Sequence, residues 1–378
     1  MTSIPFNRPF LAGSEFDYMR QAVERMHISG DGLFTRRCHA LLEKMLGAPK
    51  VLLTTSGTHA LDLAALLLDI QPGDEVIVPS FTFVSTANAF VLRGARPVFA
   101  DIRPDTLNLD EALLPNLVNE RTRAIAVMHY GGVGCEMDAI LPLADARGIP
   151  VIEDNAHGLL GQYRGKPLGS FGVMTAQSFH ETKNFSCGEG GALVLNDARY
   201  LERAEILREK GTNRSRFFRG QVDKYTWVDA GSSFLPSDLL AAFLCAQLEA
   251  HAEIQERRRR VWEYYDAHLR GWAAERGVGL PCVPVHCRQP YHLFYLLLPS
   301  AQARRHLIAH LGGQEILAVF HYLPLHLSPM GRKFGGYAGQ CPVAESVSGR
   351  LLRLPFYNDL TESDQARVVA AIRSFEGF

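Results

Sequence analysis

Seven lysines stand among 378 residues, at positions 44, 50, 166, 183, 210, 224 and 333, so lysine chemistry has few candidate sites. Lys183 has the setting a Schiff base needs. It lies a few residues beyond a predicted strand, in Ser178-Phe179-His180-Glu181-Thr182-Lys183-Asn184, and the Gly-rich run Cys187-Gly188-Glu189-Gly190-Gly191 follows. A tight, desolvated loop lowers the pKa of an ammonium and frees the amine to attack a carbonyl. The remaining lysines have ordinary readings. Lys44 falls on an amphipathic helix, Lys50 precedes a strand, Lys166 sits in a Gly-Lys-Pro turn, and Lys210 precedes Gly211 at a helix end, where a cation is favoured. Lys224 and Lys333 fall in polar loops.

Two further segments bear on the same chemistry. Ser56-Gly57-Thr58-His59 follows a predicted strand and opens a helix, where small residues let backbone N–H groups and the helix dipole meet a phosphate. On these residues alone an ordinary N-cap at Ser56 or Thr58 is equally well accounted for. The lysine of a Walker A loop and the spaced glycines of a dinucleotide site are both missing. Val151-Ile152-Glu153-Asp154-Asn155-Ala156-His157 is a strand ending in acids and a histidine. At the carboxyl end of a parallel strand Asp154 could hold a cationic ring nitrogen, or simply cap the next turn. The phosphate turn, the strand-end aspartate roughly 100 residues later and the loop lysine roughly 30 beyond it together point to pyridoxal 5'-phosphate (PLP), which needs those three contacts.

This order and spacing resemble the fold-type-I PLP enzymes, and more narrowly the DegT/DnrJ/StrS sugar-nucleotide aminotransferases. The likeness is carried by Thr55-Ser56-Gly57-Thr58, Glu153-Asp154-Asn155-Ala156-His157, Ser178-Phe179-His180 and Lys183-Asn184. The segment from Gly73 through Phe83 and the run Tyr322-Leu323-Pro324-Leu325-His326 are also similar to family segments.

The resemblance implies roles for particular positions. Gly57 and Thr58 would hold the cofactor phosphate through backbone groups, with the Ser178 hydroxyl added. Phe83 would stack on the ring, Asp154 would keep its nitrogen protonated, and His157 would lie beside it. Lys183 would bind the cofactor as a Schiff base and then move the proton. Many relatives pass an asparagine to the partner subunit's phosphate site; the corresponding stretch here, Gly231-Ser232-Ser233-Phe234, puts Ser233 in that position and implies a homodimer. Asn184, Tyr322 and His326 are the candidates for the substrate side. Segments 29–38, 209–215 and 218–227 resemble a narrower branch, which implies dTDP-4-dehydro-6-deoxy-D-glucose as acceptor, dTDP-4-amino-4,6-dideoxy-D-galactose as product and L-glutamate, leaving as 2-oxoglutarate, as donor. Another nucleotide-linked keto sugar, or a non-catalytic PLP-fold binding protein, is the alternative. A histidine in place of Lys183 would mark the sister enzymes that dehydrate.

These residues require a frame to hold them. Short apolar runs at 51–54, 75–79, 97–102, 124–129, 150–154, 175–179 and 192–195 alternate with helical patterns at 58–68, 84–93, 110–118 and 137–147. That alternation predicts an α/β fold with a mainly parallel sheet covered by helices. Upstream, Met19, Ala22, Val23 and Met26 fall at helical spacing after Ser14, with Gly30 as the stop. Beyond residue 240 the pattern changes to a long helix over 237–267, a strand at 294–298 and a terminal helix over 362–375. The chain therefore reads as a large PLP-binding α/β domain over 1–240 and a smaller α+β domain over 241–378. The run 257–260, all arginine, reads as a solvated helix face rather than an anion site.

Composition sets the outer limits. A net charge of -1, from 39 basic and 40 acidic residues, leaves no field of one sign for nucleic acid or anionic lipid. No apolar run approaches the ~20 residues of a membrane span. The opening residues lack the apolar block of a signal peptide, which predicts a cytoplasmic protein. Seven scattered cysteines without a Cys-x-x-Cys pair suit reduced thiols. His306 and His310 stand four apart without the glutamate of a zinc motif, so no metal is expected, and a Cys187 nucleophile beside His180 is the weaker reading of the lysine loop.

Overall fold

Seven strands form the central sheet of the computed structural model, which describes residues 3–377. They are β1 (Lys50–Thr54), β2 (Glu75–Pro79), β3 (Arg96–Ala100), β4 (Thr122–Met128), β5 (Val151–Asp154), β6 (Met174–Ser178) and β7 (Gly191–Leu195), ordered β1-β7-β6-β5-β4-β2-β3. From β6 to β3 all neighbours are parallel, while β7 runs antiparallel to both β6 and β1. All seven expected strands are present with small shifts at their ends. Apolar side chains cover both faces, which is why β2, β4 and β7 read as nearly continuous apolar runs.

Helices α1 (Glu15–Glu24), α2 (Leu33–Leu46), α3 (Gly57–Leu67), α4 (Val84–Val91) and α5 (Met137–Asp145) lie in this first part of the chain. Helix α3 buries Ala60, Leu61, Leu63, Ala64, Ala65 and Leu67 in the cluster that also holds Val76, Val78, Ala126 and Ile152 of the strands. Two expected helices are shorter than their patterns. Helix α1 stops at Glu24, because Met26 adopts a left-handed conformation with φ 55°, and Val23 and Met26 are 56% and 93% exposed. Gly30 is not its cap. Over 110–118 the Asp110 side chain starts a short 3₁₀ turn, followed by a single α turn, Leu114–Leu117, with Pro115 in its first turn. Proline lacks the N–H that a longer helix through that point would need.

The long helix expected over 237–267 is two helices, α6 (Asp238–Glu249) and α7 (His251–Arg276), which meet at Ala250. Helix α6 packs on α1 and α2, so residue 240 falls inside an element tied to the first part of the chain. A separate hydrophobic cluster joins Ile4 to residues between Val261 and Phe375. It surrounds β8 (Tyr295–Leu297), β9 (Leu351–Arg353), which pair antiparallel, and α8 (Glu362–Arg373). In the arginine run, Arg257, Arg259 and Arg260 face acids of their own or neighbouring segments. Arg258 departs from the solvated reading: it is 3% exposed and donates to the carbonyls of Tyr291 and His292.

Candidate active site

A cavity of about 520 Å³ opens where β4, β5 and β6 end. Its first wall is the turn into α3. Ser56 caps the helix by accepting the His59 N–H, and Ala60 N–H returns to the Ser56 carbonyl. The first amides of a helix have no intrahelical acceptor, and those of Gly57 and Thr58 meet none elsewhere among the described residues, so both remain free to donate. The cap and an anion-binding turn, posed as alternatives by the sequence, do not exclude each other, since the capped turn leaves both amides at the cavity.

Close packing dictates the glycines here. A Cβ on Gly57 would lie 3.0 Å from Ser178 Cβ, and one on Gly191 would lie 2.3 Å from the Ser56 carbonyl group. The Thr58 hydroxyl pairs with that of Ser85 at 2.7 Å. Ser178 lines the same end of the cavity.

Asp154 closes β5 and is buried. One carboxylate oxygen accepts from Thr86 Oγ1 at 2.6 Å and the other from Ala156 N–H at 3.2 Å. Thr82 Oγ1 lies 2.8 Å from Thr86 Oγ1 and extends the chain. The adjacent Glu153 points to the opposite side, where it accepts N–H bonds from Gly169, Phe171 and Gly172 and holds the loop before β6. Strand alternation thus divides the two acids between the cavity and the frame.

Lys183 is the lysine that lines the cavity. Its loop is cross-braced: Phe179 and Gly190, Glu181 and Gly188, and Lys183 and His180 are joined by backbone hydrogen bonds. Burial is the main reason its pKa is lowered to about 8; Asp154 opposes the shift and the Arg353 guanidinium adds to it. In the same loop Cys187 is buried, which pushes its thiol up to about 12 and leaves it protonated at neutral pH.

The far wall comes from residues 292–353. His157 receives the Gly131 N–H on Nδ1, so its proton sits on Nε2, 3.4 Å from the Tyr322 hydroxyl. Its ring stacks on His292, with centroids 4.1 Å apart. Burial holds His157, His292 and His321 well below the usual histidine range, with neighbouring cations adding to the effect. Tyr322 lines the cavity, and Phe83, 55% exposed, stands opposite it at 6.3 Å.

Three candidates lie elsewhere. His326 is fully buried in a 3₁₀ turn and does not line the cavity; its ring nitrogens are occupied by Ser80 and Glu345. Asn184 has its amide group occupied by Pro290 O and its oxygen by His292 Nδ1, so it positions a wall residue from behind. Ser233 is exposed and outside this chain's cavity. Sequence reasoning missed Thr82, Thr86, Ser85, His292, His321 and Arg353.

A sheet of this order, with a cavity at its strand ends holding free helix amides, a strand-end aspartate and a depressed lysine, defines a fold-type-I PLP-dependent transferase. A model of the DegT/DnrJ/EryC1/StrS aminotransferase family matches residues 11–373, and the chain belongs to that family. It is similar to the GDP-perosamine synthase of Caulobacter vibrioides, 34% identical over 370 residues that cover 96% of each chain. It is equally 34% identical, over 343 residues covering 88% of this chain and 87% of that protein, to the UDP-4-amino-4-deoxy-L-arabinose–oxoglutarate aminotransferase of Shewanella sediminis. Among solved structures, the aminotransferase TlmJ of Streptoalloteichus hindustanus superimposes with a TM-score of 0.90 at 30% identity, covering 99% of this chain and 98% of that one. The enzyme is an aminotransferase, and its cofactor is PLP. No helix among the described residues is long and apolar enough to cross a membrane.

Proposed function

We propose that this aminotransferase acts on a nucleotide-linked keto sugar, converting dTDP-4-dehydro-6-deoxy-D-glucose to dTDP-4-amino-4,6-dideoxy-D-galactose with L-glutamate as donor. The observation that carries the reaction class is the depressed Lys183 sharing one cavity with Asp154 and the free Gly57 and Thr58 amides. Relatives whose names specify GDP- and UDP-linked amino sugars, one with oxoglutarate as partner, support the substrate class and the donor. The dTDP sugar rests on the resemblance of segments 29–38, 209–215 and 218–227, and it places the enzyme in cell-surface glycan synthesis of the enterobacterial common antigen kind.

Gly57 and Thr58 would bind the cofactor phosphate through N–H groups, Ser178 through its hydroxyl, at the positive end of α3. When bound, PLP supplies a carbonyl that exchanges with the donor amine and a ring that draws off electrons. Asp154, held by Thr86 and Ala156, would keep a proton on the ring nitrogen. Lys183, at about pKa 8, is poised to take the proton from the donor carbon and return it at the sugar carbon in the reverse half-reaction. Phe83 and Tyr322 would shut water out, and His157, a neutral Nε2–H donor, would orient the ring. A homodimer fits the exposure of Ser233, in the stretch that the resemblance gives to the partner's phosphate site, and of Phe218, Tyr225 and Trp227 in the segment just before it.

The test is a visible-spectrum titration. Holoenzyme is converted by L-glutamate to its aminated form, freed of donor and mixed with the dTDP keto sugar. Return of the Schiff-base band in proportion to the sugar supports the proposal in full. Bleaching by glutamate without recovery redirects the search to other keto sugars, and failure to bleach with any amino donor favours a binding protein.

A further inference from the structure

His292 stands in the irregular stretch before β8, lines the cavity and is 5% exposed. Its partners fix where its proton sits. The Asn184 side chain turns its NH₂ group toward two acceptors, Pro290 O at 2.7 Å and Gln255 Oε1 at 3.4 Å, and so presents Oδ1 to His292 Nδ1 at 2.8 Å. An amide oxygen only accepts, which puts the ring hydrogen on Nδ1 and a lone pair on Nε2. A second proton is opposed first by burial and then by the neighbouring His157, Lys183, Arg258 and Arg353. Among the described residues nothing bonds to Nε2, and the atom is not sealed in protein, so its lone pair opens on the cavity.

The chain treats other buried histidines differently. His129 and His326 have both ring nitrogens bonded within the protein, and His157 offers the cavity a hydrogen from Nε2. Stacking does not account for the lone pair. His292 lies on His157 with centroids 4.1 Å apart and 26° between the planes, a contact that any aromatic ring would make. A bare ring nitrogen repels carbonyl and carboxylate oxygens and selects an O–H or N–H hydrogen. The amino-acid donor brings carboxylates and one amine, which the carbonyl exchange consumes. A keto sugar brings a hydroxyl hydrogen beside its reacting carbon. Asn184 directly follows Lys183, so His292 is anchored at the lysine's end of the cavity, where that carbon must come.

We propose that His292 is a specificity-determining residue of the second half-reaction, its Nε2 accepting the hydroxyl hydrogen on the carbon next to the ketone of the sugar. The inference rests on the keto-sugar reading and deepens it. Asn184 is then a positioning residue, acting through the His292 tautomer it imposes.

The test pairs a change in the protein with a change in the sugar. Holoenzyme aminated by L-glutamate and freed of donor is mixed with dTDP-4-dehydro-6-deoxy-D-glucose or with its 3-deoxy analogue, which lacks the hydroxyl beside the ketone, and return of the Schiff-base band is timed. At low sugar concentration wild type should convert the hydroxylated sugar about 10- to 100-fold faster, because the analogue leaves Nε2 without a donor. His292→Phe, which keeps an aromatic ring against His157, should slow the hydroxylated sugar selectively and bring the two within about threefold of each other. His292→Gln, which offers an amide oxygen, should keep part of the preference and serves if the phenylalanine variant does not fold. Nitrogen NMR of histidine-labelled holoenzyme should find His292 Nε2 without a hydrogen at neutral pH. Equal slowing of both sugars in the variants, with the preference kept, overturns the assignment and leaves His292 as a support for the His157 ring; a protonated Nε2 overturns it as well. Wild type that is converted by L-glutamate but restored by neither sugar overturns the dTDP-sugar reading and, with it, this hydroxyl.

Discussion

The sheet side of the cavity holds its groups with backbone and short side chains: two helix amides, a strand-end carboxylate braced by threonines, and a lysine in a cross-linked loop. The side built from residues 292–353 uses long side chains: His321 packs against Tyr322 and Tyr130, His292 stacks on His157, and Arg353 lines the same cavity. The first arrangement suits chemistry common to any substrate, because its geometry follows from strand ends and turns. The second suits discrimination, because each reaching side chain can be exchanged without altering the sheet.

Substitutions can break or sharpen this contrast. Lys183→Ala should lower turnover by at least about 10⁴-fold while the thermal unfolding midpoint stays close to wild type, and borohydride should no longer fix the cofactor to the chain. Substantial steady-state activity would remove the lysine from the mechanism. Asp154→Asn should cost on the order of 10²- to 10³-fold in kcat with little change in KM for either substrate.

A pH series addresses the lysine itself. With a folded pKa of about 8, the free amine fraction of apoenzyme should fall about tenfold per pH unit below that point, so PLP capture should slow on acidification from pH 8 and level off above pH 9. A midpoint near 10 would place Lys183 in water. Thr86→Val removes the 2.6 Å bond to Asp154 and should cost about tenfold in kcat. The smallest catalytic effect belongs to His326→Ala. Losing its bonds to Ser80 and Glu345 should reduce stability in urea by about 1–3 kcal/mol and leave both KM values within about twofold, whereas a selective rise in KM for the sugar would return His326 to the substrate side.

The same contrast explains what could be read from the residues alone. Strands β1 to β7 announce themselves as apolar runs punctuated by glycine, and Gly57, Asp154, Ser178 and Lys183 lie at their ends, so local pattern fixes both type and place. His326 misled because it follows Tyr322 by four residues, yet its ring is buried against Ser80 and Glu345 whereas Tyr322 lines the cavity. Asn184 misled for a similar reason, being adjacent to the lysine but turned toward Pro290. Arg353 carried a signal that passed unread, since a charged residue within Leu351-Leu352-Arg353-Leu354-Pro355-Phe356 interrupts an otherwise apolar strand. Its partner surfaces, Phe6 and Val319, are remote in sequence and could not be paired with it by spacing.

Strand β1 joins the sheet only through β7, with Lys50 opposite Leu195 and Thr54 opposite Gly191. The turn at Ser56 and Gly57 leans directly on Gly191, so its shape depends on a pairing that spans more than a third of the chain. Such a distant contact must close a long loop before it is rewarded, and non-local pairings of this kind fold slowly. During synthesis the amides that await the phosphate are among the first made, yet they acquire their geometry only once β7 has left the ribosome. Cofactor capture is thereby tied to completion of the sheet, and a nascent chain stalled before residue 195 would leave the cofactor in solution.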